Sequence, residues 1–504
     1  MSIVQLAELL TPEQVEQIHQ ASLQILSEVG VLVRNSEARE IFIQHGCRTE
    51  AGSEIVKFPM DVVEHFRKMF PPTFTFYARD PQYDVTLPGD APVVLTGSSA
   101  PNIIDPISGA ERRARSDDIA RIAHLIQALP GYDVFSVSTL ADDAPPGHFS
   151  LSRYYPAIKN CSKPIRGNMP SVEQFMQIVQ VAEIAAGGRD AYRARPFITI
   201  HFCPCVSPLT MDWDSTSLLL ATCREDMPSY ASIVPNAGLT SPLTLVGTLA
   251  QMNAEFLVYG VLAQMARPGK AVLYSSLPVV TDMRTGAYSP GAIETGLLHM
   301  GAAQMARFYN VPAGGYIGLT NSKVNDAQSG YEVGTSTVAG LLGGAHLFNM
   351  GGLFDALMTF DFAKAVIDGE VAMMLKFLKR GFETITPEDL GLDLIAEVGP
   401  AGMFAATQHT VDRMKTTAYL PEVANRDMRQ MWVQSGAPDS HSKAMQVARN
   451  ILTSDNPARI SAEVDARIRA EFPGLVSGDS MPPPEWAGTA HAVHGRREHR
   501  RQRA

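Results

Sequence analysis

The chain has 504 residues, of which 45% are hydrophobic and 19% charged, a composition typical of a globular enzyme and unlike that of a disordered or coiled-coil protein. The formal net charge of −10 argues against nucleic acid as a partner, because phosphate binding requires a basic surface. Five cysteines are too few for a disulfide scaffold, and neither a signal peptide nor a long apolar run is evident, so we expect a cytoplasmic protein that does not span a membrane.

Residues 1–85 are predicted to form an N-terminal helical cap. Thr11 stands before Pro12 and Gln14, an arrangement typical of a helix whose first turn is capped by a threonine hydroxyl. Apolar residues follow on one side of this helix until Gly30, which ends it. A short strand at 31–33 and a second helix at 36–45 are predicted next.

Residues 86–385 repeat one pattern about eight times: a short apolar run, a corner rich in Gly, Ser and Pro, and an amphipathic helix. Eight such units predict a TIM (β/α)8 barrel, a fold in which the carboxyl ends of the strands surround one functional mouth. The predicted strands are 92–96, 132–139, 163–167, 196–202, 229–234, 271–277, 312–319 and 345–350. The predicted helices are 117–129, 172–186, 215–225, 243–266, 292–309, 331–342 and 362–379, and the second connection, 148–159, is predicted to be short and irregular.

The end of the chain is predicted to divide into a C-terminal helical extension, residues 386–476, and a disordered tail, residues 477–504. The tail is rich in Pro, Gly and Arg, which is typical of segments that bury no core. The apolar helix at 243–266 fits either the outer ring of the barrel or a subunit interface, and we expect a homo-oligomer.

The loop after the seventh predicted strand is rich in polar side chains. Its candidate binding residues are Asn321, Lys323, Asp326, Gln328, Tyr331 and Glu332. Loops at this end of a barrel usually carry the functional groups. The simpler alternative is that Asp326 caps the next helix and Lys323 is an exposed charge, but a cap does not require so many groups.

His201 precedes a Cys-Pro-Cys run near the end of the fourth predicted strand. This spacing is not that of a structural zinc site, so we expect no metal and place His201 in a substrate pocket or in the core. Aromatic residues also lie near strand ends, at Tyr316, Phe348 and Phe354, with Tyr331 beside them. A quaternary ammonium group is recognised through aromatic faces, although core packing is the alternative for these rings.

Several motifs, in order between residue 6 and about residue 473, carry a resemblance to a known family. They are Ser207-Pro208-Leu209, residues 241–255, Asp282-Met283-Arg284-Thr285-Gly286, residues 321–332, Asp368-Gly369-Glu370 and Glu397-Val398-Gly399-Pro400. With them the chain resembles the trimethylamine methyltransferase (MttB-like) superfamily. The resemblance implies a barrel that passes a methyl group from a methylated amine to the cobalamin of a separate corrinoid protein. Because the sequence contains no pyrrolysine, it resembles the members that demethylate quaternary amines such as glycine betaine.

This resemblance implies catalysis by positioning, because a quaternary nitrogen leaves as a neutral amine and needs no general acid. We therefore predict no catalytic acid, base or nucleophile. The residues predicted to surround the cation are Tyr316, Phe348 and Tyr331. Those predicted to bind the polar end of the substrate are His201, Asn321, Lys323 and Gln328, with Asp326 or Glu332 orienting them. Two other classes stay open at this point: a barrel hydrolase or lyase of unrelated chemistry, and a betaine-binding protein without turnover.

Overall fold

The structure is a computed structural model, and it describes residues 6–382 and 385–486. Eight parallel strands form one sheet whose two end strands are joined by a parallel bridge between Leu95 and Val134, which closes a barrel. The strands are β1 (Val93–Leu95), β2 (Phe135–Ser136), β3 (Ile165–Gly167), β4 (Ile198–Phe202), β5 (Ser229–Ile233), β6 (Tyr274–Ser276), β7 (Ala313–Gly315) and β8 (Leu347–Asn349). Each lies inside the run predicted for it, so the predicted TIM barrel is confirmed.

A helix follows every barrel strand. The barrel helices are α1 (Ser116–Ala128), α2 (Phe149–Asn160), α3 (Val172–Ala185), α4 (Trp213–Arg224), α5 (Leu245–Ala266), α6 (Ile293–Phe308), α7 (Ala327–Gly343) and α8 (Phe362–Arg380). A further short helix, Arg189–Ala194, lies between α3 and β4.

The prediction of an irregular second connection is wrong, because α2 is a regular helix of 12 residues with Pro156 inside it. A proline in a helix interior costs about 3 kcal/mol. Every residue of α2 from Ser150 to Asn160 is buried, and this burial outweighs the local cost. The Asn160 side-chain amide also donates a hydrogen bond to the Pro156 carbonyl oxygen over 2.8 Å.

The amino-terminal end of the barrel is filled by apolar side chains. The hairpin formed by Phe74–Phe76 and Val85–Leu87 packs there, and its two phenylalanines contact Tyr230 edge-on. The barrel residues of this cluster are Val93, Leu95, Val134, Tyr230, Leu273 and Leu347. With this end filled, a ligand can enter the barrel only from the opposite end, where the strands finish.

The N-terminal segment packs on α5. Its helices are Pro12–Gln24, Ser36–Gln44 and Met60–Arg67, with a strand at Val31–Val33, and the first helix carries the predicted threonine cap. Ser22 donates to the Ala250 carbonyl oxygen over 2.9 Å and accepts from the Asn253 amide over 2.9 Å. Among the described residues α5 is the one helix long and apolar enough to cross a membrane, but 83% of its most apolar stretch is buried inside the protein. It therefore belongs to the outer ring of the barrel, while the homo-oligomer stays a prediction.

Three small sheets flank the barrel. Asn236–Ala237, Val279–Asp282 and Ala287–Ser289 form one of them, on the loops after β5 and β6. The second, on the loops after β1 and β8, contains Asn102–Ile104, Glu111–Arg113, Leu353–Phe354 and Thr359–Phe360. The third joins Val31–Val33 and Ile55–Val56 to Cys205–Val206 and Thr210–Met211. The first two extend the wall around the mouth.

The C-terminal segment is helical. Its helices are Pro387–Leu390, Leu392–Val398, Gln408–Arg413, Arg429–Gln434, Ser440–Leu452 and Ala462–Glu471. The exact domain boundaries stay a prediction.

Residues 477–486 differ from the predicted disorder. The buried Lys159 side chain pairs with Asp479 over 3.0 Å and donates to the Ser477 carbonyl oxygen over 3.2 Å. Trp486 is buried as well. The rest of the predicted tail, 487–504, lies outside the described residues.

The close approach of β7 and β8 generates a stability prediction. A Cβ atom on Gly314 would lie 2.4 Å from the Leu347 Cβ and 2.5 Å from its carbonyl oxygen. Gly314→Ala is therefore expected to lower the free energy of unfolding by about 2 kcal/mol or more, measured by urea titration. Gly334→Ala is the matched control: it lies inside α7 with open space around it, and it should raise that free energy by about 1 kcal/mol. Equal stability of the two variants would contradict this account of the barrel.

Candidate active site

Polar side chains fill the barrel between its apolar end and its mouth. Strand alternation turns Phe135, Ile165 and Ile200 outward into the core under the helices, so their neighbours in sequence face inward. The inward side chains, which we call the polar layer, are Ser136, Arg166, Thr199, His201, Ser232, Ser275 and Asn349, together with the Tyr230 hydroxyl. TIM barrels usually fill these positions with branched apolar residues, so a polar layer here indicates function.

Arg166 is the only charged member of the polar layer, and it is fully buried. Its Nη2 donates to the Tyr316 hydroxyl over 2.8 Å, and its Nη1 donates to the Ser98 hydroxyl over 2.7 Å. The guanidinium carbon lies 5.6 Å from the ring centre of Tyr230 and 5.3 Å from that of Tyr316. Within residues 6–382 and 385–486 no carboxylate pairs with Arg166, and its Nε has no hydrogen-bond partner.

His201 lies beside this arginine in the polar layer. Its Nε2 is 2.9 Å from the Ser232 hydroxyl, which lies 2.8 Å from that of Ser275. Burial, followed by the positive charge of Arg166, lowers the pKa of His201 well below its ordinary value, so the imidazole is neutral at pH 7. In the part of the chain that the structure describes, no three His, Cys, Asp or Glu side chains are grouped as a metal ion would require.

An apolar wall lies between the polar layer and the mouth. It consists of Leu277, Val279, Tyr316 and Leu319, against which the less buried Val234, Tyr288 and Leu357 pack. Tyr316 belongs to both layers, because its ring lies in the wall and its hydroxyl contacts Arg166. A molecule entering the mouth therefore meets apolar and aromatic surface first and a buried positive charge beneath it.

The pKa values of four titratable groups near the candidate site lie far from 7. Burial raises the pKa of the Cys203 thiol to about 11 and that of Tyr230 to about 12, and it also raises the pKa of Tyr288. With neutral His201 beside them, these groups hold fixed protonation states at pH 7. None of these four groups is poised to exchange a proton with a substrate.

The loop after β7 is held together by Glu332. This carboxylate accepts hydrogen bonds from the Thr320 hydroxyl (2.6 Å), the Asn321 backbone (2.8 Å) and the Gln328 amide (2.9 Å). The Asn321 side chain in turn donates to the Tyr288 carbonyl oxygen over 2.8 Å and accepts from the Gly291 backbone over 3.0 Å. Of the predicted binding residues, Asn321, Gln328 and Glu332 thus come together as a brace that holds the segment carrying Tyr288.

Asp326 and Lys323 have the simpler roles considered from the sequence, a helix cap and an exposed charge. Asp326 caps α7, because it accepts from the Ser329 backbone over 2.9 Å and from the Ser322 hydroxyl over 2.8 Å. The Lys323 side chain is 69% exposed and pairs with Asp355 over 3.1 Å.

The predicted aromatic residues do not come together. Tyr316 lies in the apolar wall near His201, with ring centres 6.0 Å apart, whereas Tyr331 is largely exposed on α7. Phe348 is fully buried, but it points outward toward Gly340 of α7. The alternation of β8 explains this orientation, because Leu347 packs inside the barrel and its neighbour must face the helices. The prediction that Phe348 lines the pocket is therefore wrong.

Arg166, Tyr230 and Tyr288 were missed by the sequence analysis. A signal for Arg166 was present, because a charged residue between Ile165 and Gly167 interrupts a strand expected to be covered on both faces. Tyr288 carried no such signal, since it lies on a hairpin whose position depends on contacts with the loop after β7.

His299, on α6 beneath the wall, gives a pH prediction. Its Nε2 lies 3.1 Å from the Tyr316 carbonyl oxygen, and burial lowers its pKa to about 4. Between pH 6.5 and pH 4 the unfolded chain binds a proton at this histidine and the folded chain does not. The free energy of unfolding therefore falls as the pH falls from 6.5 toward 4. His299→Gln should therefore reduce the loss of unfolding free energy between pH 7 and pH 5 by about 2 kcal/mol.

Urea titrations at the two pH values measure this loss. His409→Gln, on an exposed helix, is the control and should leave it unchanged. An unchanged loss in His299→Gln would show that His299 is not kept neutral by burial.

Several known proteins are similar to this chain over most of its length. The family model for trimethylamine methyltransferase (MTTB) matches residues 2–472. The glycine betaine methyltransferase of Desulfitobacterium hafniense (strain Y51) is 32% identical over 468 residues, which cover 92% of this chain and 96% of that protein. The trimethylamine methyltransferase MttB of Desulfitobacterium hafniense (strain DSM 10664 / DCB-2) is 30% identical over 458 residues, 91% of this chain and 92% of that protein.

Among solved structures, the monomethylamine methyltransferase of Methanosarcina barkeri superposes with a TM-score of 0.48 and 12% identity, over 92% of this chain and 93% of that one. The family match extends over nearly the whole chain and includes every strand of the barrel. The chain therefore belongs to the trimethylamine methyltransferase family and is a methyltransferase.

Proposed function

We propose that this methyltransferase moves a methyl group from a quaternary, betaine-like amine to the cob(I)alamin of a separate corrinoid protein. The observation that carries the proposal is the set of fixed protonation states around the mouth, with neutral His201 and an un-ionised Cys203 thiol. A quaternary nitrogen leaves as a neutral tertiary amine, so its demethylation needs no proton donor. Groups that exchange no proton at pH 7, such as His201 and Cys203, suit this reaction.

The bond changes of the proposed reaction are simple. The carbon–nitrogen bond breaks with its electron pair remaining on nitrogen, and cobalt(I) supplies the pair for the new bond to the methyl carbon. The contribution of this chain is to hold the methyl group in line and to exclude water, which is catalysis by position. Membership of a methyltransferase family counts against the alternatives of a hydrolase or lyase and of a binding protein without turnover.

The apolar wall supports recognition of the cation. A quaternary ammonium group is attracted to aromatic faces, and the wall offers Tyr316 and Tyr288. Both residues are held by hydrogen bonds, Tyr316 through its hydroxyl to Arg166 and Tyr288 through its backbone to Asn321. Because they are held before the substrate arrives, little ordering remains to be done on binding.

The rim supports docking of a partner protein that carries the corrinoid. Loops after four neighbouring strands, β5 to β8, expose large apolar side chains around the mouth. They are Leu239, Leu243, Met283, Val324 and Met358, each between 46% and 63% exposed. Clustered exposed apolar residues mark interaction surfaces. The cysteines of the described chain are all unpaired, which fits the reducing cytoplasm that a cobalt(I) acceptor requires.

A methyl-transfer assay tests the proposed function. With a reduced corrinoid protein, or free cob(I)alamin in its place, glycine betaine should convert the cobalt(I) absorption to that of methyl-cobalt, and trimethylamine should not. Tyr316→Ala should lower kcat/KM by about 30-fold, because cation–π contacts in desolvated sites contribute about 2 kcal/mol. Tyr316→Phe keeps the ring and removes the hydroxyl, so it tests the two contributions separately. Tyr331→Ala changes an exposed position, and its kcat/KM should stay within about twofold of the wild-type value.

Two results would contradict the proposal. One is methyl transfer from trimethylamine with none from any quaternary amine. The other is full activity in Tyr316→Ala, which would remove the aromatic wall from the recognition of the substrate.

A further inference from the structure

Arg166 differs from the buried lysines of the described chain in what surrounds it. Lys364 pairs with the Asp368 carboxylate over 2.5 Å, and Lys163 donates to three backbone carbonyl oxygens at 2.7 to 2.8 Å. Arg166 instead contacts hydroxyl groups, namely those of Ser98, Ser136 and Tyr316. If its amide is turned, the Asn349 side chain adds one oxygen at 3.2 Å from Nη1. A buried guanidinium is strongly destabilised unless an anion offsets the loss of hydration.

A second buried arginine reaches the same corner of the mouth. Arg153 donates from Nη2 to the Ser99 hydroxyl over 3.1 Å, next to the serine that Arg166 contacts. Its other contacts are backbone carbonyl oxygens, of Thr139 at 3.2 Å and Asn168 at 3.4 Å, and no carboxylate among the described residues pairs with it. Ser99 has a φ of 67°, a left-handed conformation that is rare for residues other than glycine and tends to occur at functional sites. Ser98 and Ser99 are both partly exposed. Two positively charged arginines therefore contact a pair of adjacent serines that are partly exposed.

An unpartnered polar atom points to the same place. The Nε of Arg166 is buried without a hydrogen-bond partner among the described residues, whereas the Tyr230 hydroxyl interacts with the guanidinium and its ring lies against it. Buried polar groups of this kind are nearly always satisfied in a working protein. A carboxylate accepts several hydrogen bonds at once and would satisfy a guanidinium better than neutral hydroxyls do.

We infer that Arg166 and Ser98 bind the carboxylate of the methyl donor, so that the donor is a short zwitterion with its carboxylate near the quaternary nitrogen. This inference rests on the proposed function. The order of the layers orients the molecule: the carboxylate lies inward at the polar layer, the ammonium group lies against Tyr316 and Tyr288, and the methyl group faces the mouth. Arg153 adds positive charge behind Ser99 without touching the donor. This assignment replaces Lys323, whose ammonium is paired with Asp355 at the surface.

Calorimetric titration without any corrinoid tests the inference. The probes are glycine betaine and choline, which share a trimethylammonium group and differ in the carboxylate. Wild type should bind glycine betaine at least about tenfold more tightly than choline, since a hydrogen-bonded charge pair is worth more than a neutral contact. Arg166→Gln should abolish this preference by weakening glycine betaine alone. Arg284→Gln, which removes a positive charge from an exposed hairpin beside the mouth, is the matched control and should retain it.

Stability separates a binding role from a structural one. Because no acid among residues 6–382 and 385–486 pairs with the buried Arg166, Arg166→Gln should unfold at no lower urea concentration than wild type, and glycine betaine should raise the midpoint of wild type only. If Arg166→Gln does not fold, Ser98→Ala, at a partly exposed position, replaces it and should reduce the preference for glycine betaine several-fold.

The possible outcomes distinguish this inference from the proposed function. An undiminished preference for glycine betaine in both Arg166→Gln and Ser98→Ala overturns the inference, and so does equal binding of choline by wild type. Methyl transfer from choline as fast as from glycine betaine overturns it while leaving the proposed function intact. Tight, Arg166-dependent binding of glycine betaine without any methyl transfer supports the inference and overturns the proposed function.

Discussion

The contact between the Arg166 guanidinium and the Tyr316 hydroxyl, 2.8 Å long, joins the two layers from which the mouth is built. Below it lies a polar layer with a positive charge, and above it an apolar wall with aromatic faces. A zwitterion has the complementary order, an anionic end and a cationic end a few bonds apart. We propose that this match in the order of charge and polarity, more than any reactive side chain, is how the site recognises its substrate.

The remainder of the fold keeps these layers in place. The hairpin from 74 to 87 fills the opposite end of the barrel with phenylalanine, so the polar layer has one open side. Gly314 allows β7 and β8 to approach closely just before Tyr316. Glu332 holds the loop after β7, and through Asn321 that loop holds the segment of Tyr288. Both aromatic residues are thus supported by elements that are far apart in the chain.

Sequence patterns predicted the barrel well, because parallel strands covered on both faces are continuous apolar runs between glycine-rich corners. The second connection was predicted wrongly, because the burial that stabilises α2 around Pro156 exists only in the folded protein. The same limit applies to the tail, where residues 477–486 pack because Lys159 requires acceptors.

The candidate site was only partly predictable. His201 and Tyr316, predicted because they lie at strand ends, lie inside the barrel in the structure, but Phe348 was misplaced by one residue of strand alternation. The amides and acids of the loop after β7 attracted attention by their number, yet most of them bind one another. Arg166 was overlooked although its charge interrupts an apolar strand, and what makes it a candidate is that no acid among the described residues pairs with it. That lack is a property of three-dimensional packing.

The most direct test of this account is a crystal structure of the protein with glycine betaine bound. The account predicts the carboxylate within hydrogen-bond distance of Arg166 and Ser98, the ammonium group against the rings of Tyr316 and Tyr288, and an N-methyl carbon facing the open mouth. A betaine bound with its carboxylate toward the mouth, or bound outside the barrel, would contradict it.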